Sequence, residues 1–391
     1  MSDCNRNHPP GMSEADTSGF THFMLKEIYE QSTAVQRCLT AYHQLDWCNT
    51  QAPGISPFNL NLPDTLYRQL AQVQVVACGT SRHAGLVGQY WLEQMAGIPT
   101  RVRSASEFVS APLPLVANTL TIAITQSGET ADTLAAVATE RDRQSSQNPS
   151  PSWLLGITNQ PESALANLVD FTLPTLAGAE IGVAATKTFL TQLVVLYCLA
   201  LDLAFRQHRL TAEALCLRLA ALESLPEILT TLLEQEHESI RQLAVSLAAV
   251  EDCVVIGRGV NRAIALEGAL KLKETTYIHA EGYAGGEFMH GPIAMLDETV
   301  PVIVIAPAGS VYDRIIANAR TIKANGTPLI GITNTLDGSA VFDHWIKIPA
   351  IEESLSPLLT VVPLQLLAYE IAVERGLNVD RPRHITKTLS G

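Results

Sequence analysis

Charge and aromaticity are both scarce in this chain. Charged residues make up 17% of its 391 positions and aromatic residues 6%, and 26 Lys and Arg face 39 Asp and Glu. The net charge is −13, and no block of five or more basic residues occurs. A nucleic-acid surface, which needs clustered cations to neutralise phosphates, is thereby excluded. Any anionic ligand must be held by local donors and dipoles that outweigh the global field. The seven cysteines are odd in number and contain no C-x-x-C pair, so they read as scattered free thiols in a reducing cytoplasm. There is no H-E-x-x-H, and the histidines are dispersed, so neither a metal nor a cofactor is expected. Met1-Ser2-Asp3-Cys4 opens no secretory signal. The apolar run Leu193–Leu201 meets Asp202 after nine residues, too short for a bilayer, and reads as a buried helix.

What the chain does have is 47% apolar residues, enough for two or three packed domains, and an internal repeat. Gln74-Val-Val-Ala-Cys78 runs into Gly79-Thr80-Ser81, as Val254-Val-Ile256 runs into Gly257-Arg258-Gly259. Leu154-Leu-Gly-Ile-Thr-Asn159 recurs as Leu329-Ile-Gly-Ile-Thr-Asn334. An offset of about 175 residues reads as a duplicated α/β unit. The copies differ where a ligand would sit: Thr125-Gln-Ser-Gly-Glu-Thr130 stands against Ala306-Pro-Ala-Gly-Ser310.

The pattern divides the chain into an N-terminal tail and helix (1–63), a first unit (64–205), a helical linker (206–250), a second unit (251–375) and a tail (376–391). A helix is predicted from Phe20 to about Leu45. Apolar runs place strands near 73–78, 120–125, 153–158 and 171–173, and near 253–256, 301–305, 328–332 and 345–348. First-unit helices fall near 81–96, 129–142, 162–168 and 186–205.

Five stretches can carry chemistry. Thr125–Thr130 is a strand-to-helix turn with three hydroxyls and Gly128, suited either to a phosphate at a helix N-terminus or to plain capping by Ser127 or Thr130. Gly79, Thr80 and Ser81 form a similar turn at the end of the neighbouring strand. Gly257-Arg-Gly259 fails as a dinucleotide fingerprint, because its third glycine falls at Arg262. Glu267, Lys271 and Glu274 share one helix face, as a tuned base cluster or as an exposed ion-paired face. The loop Glu281–Pro292 contains His290, a candidate acid or base or a surface residue; His83, inside a helix, reads as structural. Lys387 matters only if the tail folds over a site.

Together, Ala77-Cys-Gly-Thr-Ser81, Thr125–Thr133, Glu180-Ile-Gly-Val-Ala184, Ala265–Glu274, His290-Gly-Pro292 and Leu364–Tyr369 make about 20–391 resemble the isomerase part of glucosamine-6-phosphate synthase, a tandem of SIS domains. The resemblance implies two flavodoxin-like, five-stranded parallel units. It implies a hexose 6-phosphate held by Gly79, Thr80, Ser81, Thr125, Gln126, Ser127 and Thr130, with Val183 against the sugar. It implies Glu274 as the base between C1 and C2, supported by Lys271 and Glu267. His290 would open the ring from a second subunit of a homodimer, and Lys387 would form an imine. The chain departs from the family at Ala185, Met289 and Thr386. The family's glutaminase domain is absent from it, so the expected nitrogen source is free ammonia or a separate glutaminase. Deamination of glucosamine 6-phosphate and a non-catalytic sugar-phosphate sensor are the alternatives.

Overall fold

The computed structural model describes residues 17–44, 47–50, 55–147 and 151–387. Of the polar stretch 1–18, which the sequence suggests is mobile, residues 1–16 with Cys4 lie outside those residues, as does the end of the tail, 388–391. Helices α1 (Phe23–Tyr29), α2 (Gln31–Tyr42), α3 (Trp47–Thr50) and α4 (Asp64–Gln69) come first. The first unit follows as β1 (Gln72–Ala77), α5 (Gly79–Gln94), β2 (Thr100–Ser104), α6 (Ala105–Ser110), β3 (Thr119–Thr125), α7 (Ala131–Gln147), β4 (Trp153–Thr158), α8 (Ala164–Leu168), β5 (Phe171–Pro174) and α9 (Lys187–Arg206). Linker helices α10 (Ala212–Glu223) and α11 (Leu225–Leu247) lead to the second unit. It comprises β6 (Asp252–Gly257), α12 (Asn261–Thr276), β7 (His279–Ala284), α13 (Gly285–Phe288), β8 (Val302–Ile305), α14 (Tyr312–Lys323), β9 (Leu329–Thr333), β10 (His344–Lys347) and α15 (Ser356–Glu374).

Each unit is a five-stranded parallel sheet, ordered β2-β1-β3-β4-β5 and β10-β9-β8-β6-β7. Read from its own first strand, each has the flavodoxin-like order 2-1-3-4-5. The central strands β3 and β4 are buried along their whole length, because helices cover both faces. The expected helix over 20–45 is instead two helices that meet at Glu30.

The duplication extends to the packing. In the first unit α5 lies on α9, and a Cβ on Gly88 would stand 3.1 Å from Leu196. In the second, α12 lies on α15, and a Cβ on Gly268 would stand 2.7 Å from Leu364. Helices α5 and α12 also pack on one another, so the two units meet along their first helices. Both α9 and the helical stretch Glu353–Glu374 are long and apolar enough to cross a membrane by length and composition, but 94% of the apolar window of each is buried inside the fold. The nine-residue run is thus part of a 20-residue core helix.

The thiols need a correction. Cys48 and Cys216 form a disulfide that joins α3 to α10, with Cα atoms 5.7 Å apart, while Cys38, Cys78, Cys198 and Cys253 are free. Partners 168 residues apart leave no local spacing to read.

Candidate active site

Two loops of the first unit leave the sheet side by side, since β1 pairs with β3 in register Ala77↔Ile124. This is the carboxyl edge of the strands, where open α/β sheets bind ligands. After β1, Gly79 takes φ +51 and opens α5, putting Thr80 and Ser81 in the first helical turn. After β3, Gly128 takes φ +71, and a Cβ there would lie 2.0 Å from Ser163 Oγ. Only glycine fits that turn. The Thr125 and Thr130 hydroxyls meet at 2.7 Å. Ser127 Oγ accepts the Glu129 NH at 3.1 Å, and the Gln126 carbonyl accepts the Asn159 NH at 3.1 Å. Ser81 Oγ accepts from Gln192 Nε2 at 3.0 Å.

The acid–lysine face of α12 is not an exposed ion-paired surface. The side chains of Glu267 and Lys271 are 0% exposed, and that of Glu274 is 24% exposed. Lys271 Nζ lies 2.6 Å from Glu274 Oε2 and 3.3 Å from Glu267 Oε1. Burial by itself would lower the Lys271 pKa, but the flanking carboxylates more than offset it and hold the group charged. Burial likewise opposes ionisation of Glu267, yet the Lys271 charge and bonds from His83 and Thr80 keep its carboxyl below the usual value. The Thr80 hydroxyl donates to Glu267 Oε1 at 2.9 Å and accepts from Lys271 Nζ at 3.1 Å. His83 Nδ1 lies 2.7 Å from Glu267 Oε2. A first-unit turn and the second-unit charge cluster therefore form one network of hydrogen bonds and ion pairs, with Glu274 at its exposed end.

The tail closes on the same region. Asp380 accepts the backbone NH groups of Phe23 and Met24 at the start of α1, at 3.0 and 2.8 Å, and its carbonyl accepts the Val183 NH at 3.2 Å. The Arg383 NH donates to Tyr277 OH at 2.8 Å, and its guanidinium lies 4.1 Å from the centre of the Tyr277 ring. Lys387 Nζ then donates to Glu180 Oε2 at 2.7 Å and to the Gly182 carbonyl at 2.6 Å. Burial opposes ionisation of Glu180, but Lys387 and donors from Thr188 and Thr186 hold its pKa below the ordinary value. Glu274, Tyr277, His279, Arg383 and His384 line a groove of ≈ 430 Å³. A larger cavity of ≈ 610 Å³, by Asp64, Tyr67 and Arg206, includes none of the candidate residues.

Thr80, Glu267, Lys271 and Glu274 thus come together, while Lys387 of the tail meets the loop that carries Val183. His290 is exposed just beyond α13, and among the described residues no hydrogen bond joins its ring to this network. Residue-by-residue reading took His83 as structural, since its position gives no hint of Glu267, and missed the buried acids Glu27 and Glu180. Among the described residues no metal-binding group of three side chains assembles.

The SIS domain model matches residues 66–202 and 246–375. The chain is 52% identical over 378 residues to a glutamine–fructose-6-phosphate aminotransferase (isomerizing) of Synechocystis, covering 96% of this chain and 60% of that protein. Against the protein of the same name from Methanosarcina acetivorans the identity is 42% over 385 residues, covering 96% and 59%. The chain therefore spans about three fifths of the length of these relatives. The solved C-terminal domain of glucosamine-fructose-6-phosphate aminotransferase from Francisella tularensis superposes with TM-score 0.85 at 34% identity, covering 93% of this chain and 99% of that one. With two matched stretches, two sheets of one topology and a solved relative covered almost end to end, this chain belongs to the SIS-domain family, in tandem form.

Proposed function

We propose that the chain is an aldose–ketose isomerase and aminotransferase acting on fructose 6-phosphate and glucosamine 6-phosphate, as a cytoplasmic homodimer. The phosphate sits at Ser81, Thr125, Gln126, Ser127 and Thr130, where backbone NH groups and hydroxyls supply what an acidic protein lacks in cations. Val183 lies against the sugar. Lys387 condenses with the open-chain ketone at C2, losing water to give an imine. Ammonia, free or delivered by a glutaminase, replaces the lysine there. Glu274 takes a proton from C1 and returns it to C2, leaving an aldehyde at C1 and an amine at C2. Lys271 positions Glu274 through their ion pair, Glu267 balances Lys271, and His290 opens the ring from a second subunit.

The single observation that carries this reading is the Thr80–Glu267–Lys271–Glu274 network. It ties the Gly79–Ser81 turn of the first unit to a partly exposed carboxylate of the second. In deuterated water with fructose 6-phosphate and ammonium, proton NMR should detect deuterium entering C1. Glu274→Gln should slow that exchange by about 10²–10⁴. Exchange at the wild-type rate in the variant would remove Glu274 from the proposal.

A further inference from the structure

The loop that holds Lys387 is itself held by a carboxylate with no role so far. Glu27, in α1, is 2% exposed. Its Oε1 accepts the backbone NH of Ile181 and, at 3.2 Å, that of Gly182. Its Oε2 is buried with no hydrogen-bond partner. That oxygen lies 2.9 Å from where a Cβ on Gly182 would stand, so a side chain there would press on it. On its far side the same loop presents the Gly182 carbonyl and the Glu180 carboxylate to Lys387 Nζ. Helix α1 is in turn anchored by Asp380 at its first turn, by Lys187 Nζ to Glu30 Oε2 at 2.5 Å, and by His22 Nδ1 to Tyr369 OH at 2.9 Å.

We propose that Glu27 is a positioning residue for Lys387, gripping the Glu180–Val183 loop so that the amine is held where the substrate carbonyl arrives. This rests on the reading of Lys387 as the imine-forming lysine. The charged groups that act on Glu27 are Glu180 and Lys387; beside it, Lys26 and Glu30, the latter just past the end of α1, pair at 3.8 Å, and Glu30 also pairs with Lys187. Two ionised carboxylates beside one ammonium would leave a buried excess charge, and an ionised Oε2 would lack any compensating donor. Burial and the charge of Glu180 push the Glu27 carboxyl up to about 8. Below that pH the Glu180–Lys387 pair is balanced. Above it the loop carries a second buried negative charge beside the single amine that reaches it.

The test labels the full chain with acetic anhydride over about pH 6 to 10 and follows the Lys387 peptide by mass spectrometry, with no substrate. The wild type should show an inflection near pH 8 that follows the Glu27 carboxyl. Glu27→Gln keeps the acceptor oxygen but cannot ionise, and should lose the inflection. Glu27→Ala releases the loop and should speed labelling about tenfold as the amine leaves Glu180. An inflection retained in Glu27→Gln would overturn the proposal even if Glu27→Ala fails to fold, and so would wild-type labelling of a folded Glu27→Ala. A second arm traps the imine with fructose 6-phosphate and cyanoborohydride. Trapping on Lys387, slowed about tenfold in Glu27→Ala and rescued in Glu27→Gln, supports Glu27 as well as the imine. A wild-type protein with no Lys387 adduct would sink the imine reading alone, because labelling decides Glu27 independently.

Discussion

Glu27 also has a consequence for stability. Its pKa is about 8 in the fold, against 4.5 for the ordinary carboxyl. A group whose pKa is raised on folding contributes fully below its unfolded value and loses that contribution as pH climbs through its folded value. The Glu27 contribution should therefore decline between about pH 4.5 and about pH 8 and be absent above. Urea unfolding at both ends of this window measures it: stability should fall with pH more steeply in the wild type than in Glu27→Gln. Equal slopes would show that Glu27 ionises normally. Single residues were legible where their chemistry is local. Glu267, Lys271 and Glu274 share a face by spacing alone. Glu27 and His83 were not, because what makes them unusual is a partner 154 or 184 positions away.

At the scale of elements, the turn after β3 shows how backbone shape limits what can bind. Gly128 combines φ +71 with no room for a Cβ beside Ser163. Gly128→Ala should destabilise the loop by roughly 1–3 kcal/mol. Titration calorimetry should then find fructose 6-phosphate bound at least about tenfold more weakly, with far-UV circular dichroism unchanged. Undiminished affinity would argue that the ester sits elsewhere. Eight of the ten strands were readable as apolar runs: the six interior ones, which are covered on both faces, and the edge strands β5 and β10. The two left unread, β2 (Thr-Arg-Val-Arg-Ser) and β7 (His-Ala-Glu-Gly-Tyr-Ala), are the corresponding edge strands of the two sheets. An edge tolerates charge and glycine, and charge there also discourages pairing with other chains. The same periodicity that found the core strands could not find them.

For the molecule as a whole, duplication was evident from sequence, and so was the loss of hydroxyls from the second copy's turn. Closure of the tail was not. Lys387 meets Glu180 across 207 positions and Asp380 meets α1 across 356 and 357, and no local pattern encodes such pairings. The second copy's turn was also not empty. Ser310 donates its NH and its hydroxyl to the Glu353 carboxylate at 2.8 and 2.9 Å, and Ala308 donates its NH to Asn334 Oδ1 at 2.7 Å. A Cβ on Gly309 would stand 2.5 Å from Glu353 Cδ. The chain has thus supplied its own anion to the turn equivalent to the one proposed to hold the sugar's phosphate. An incoming ester would have to evict a tethered rival of like sign, so saturation should come at one sugar phosphate per polypeptide. Calorimetry that counted two would mean the lodger yields its place.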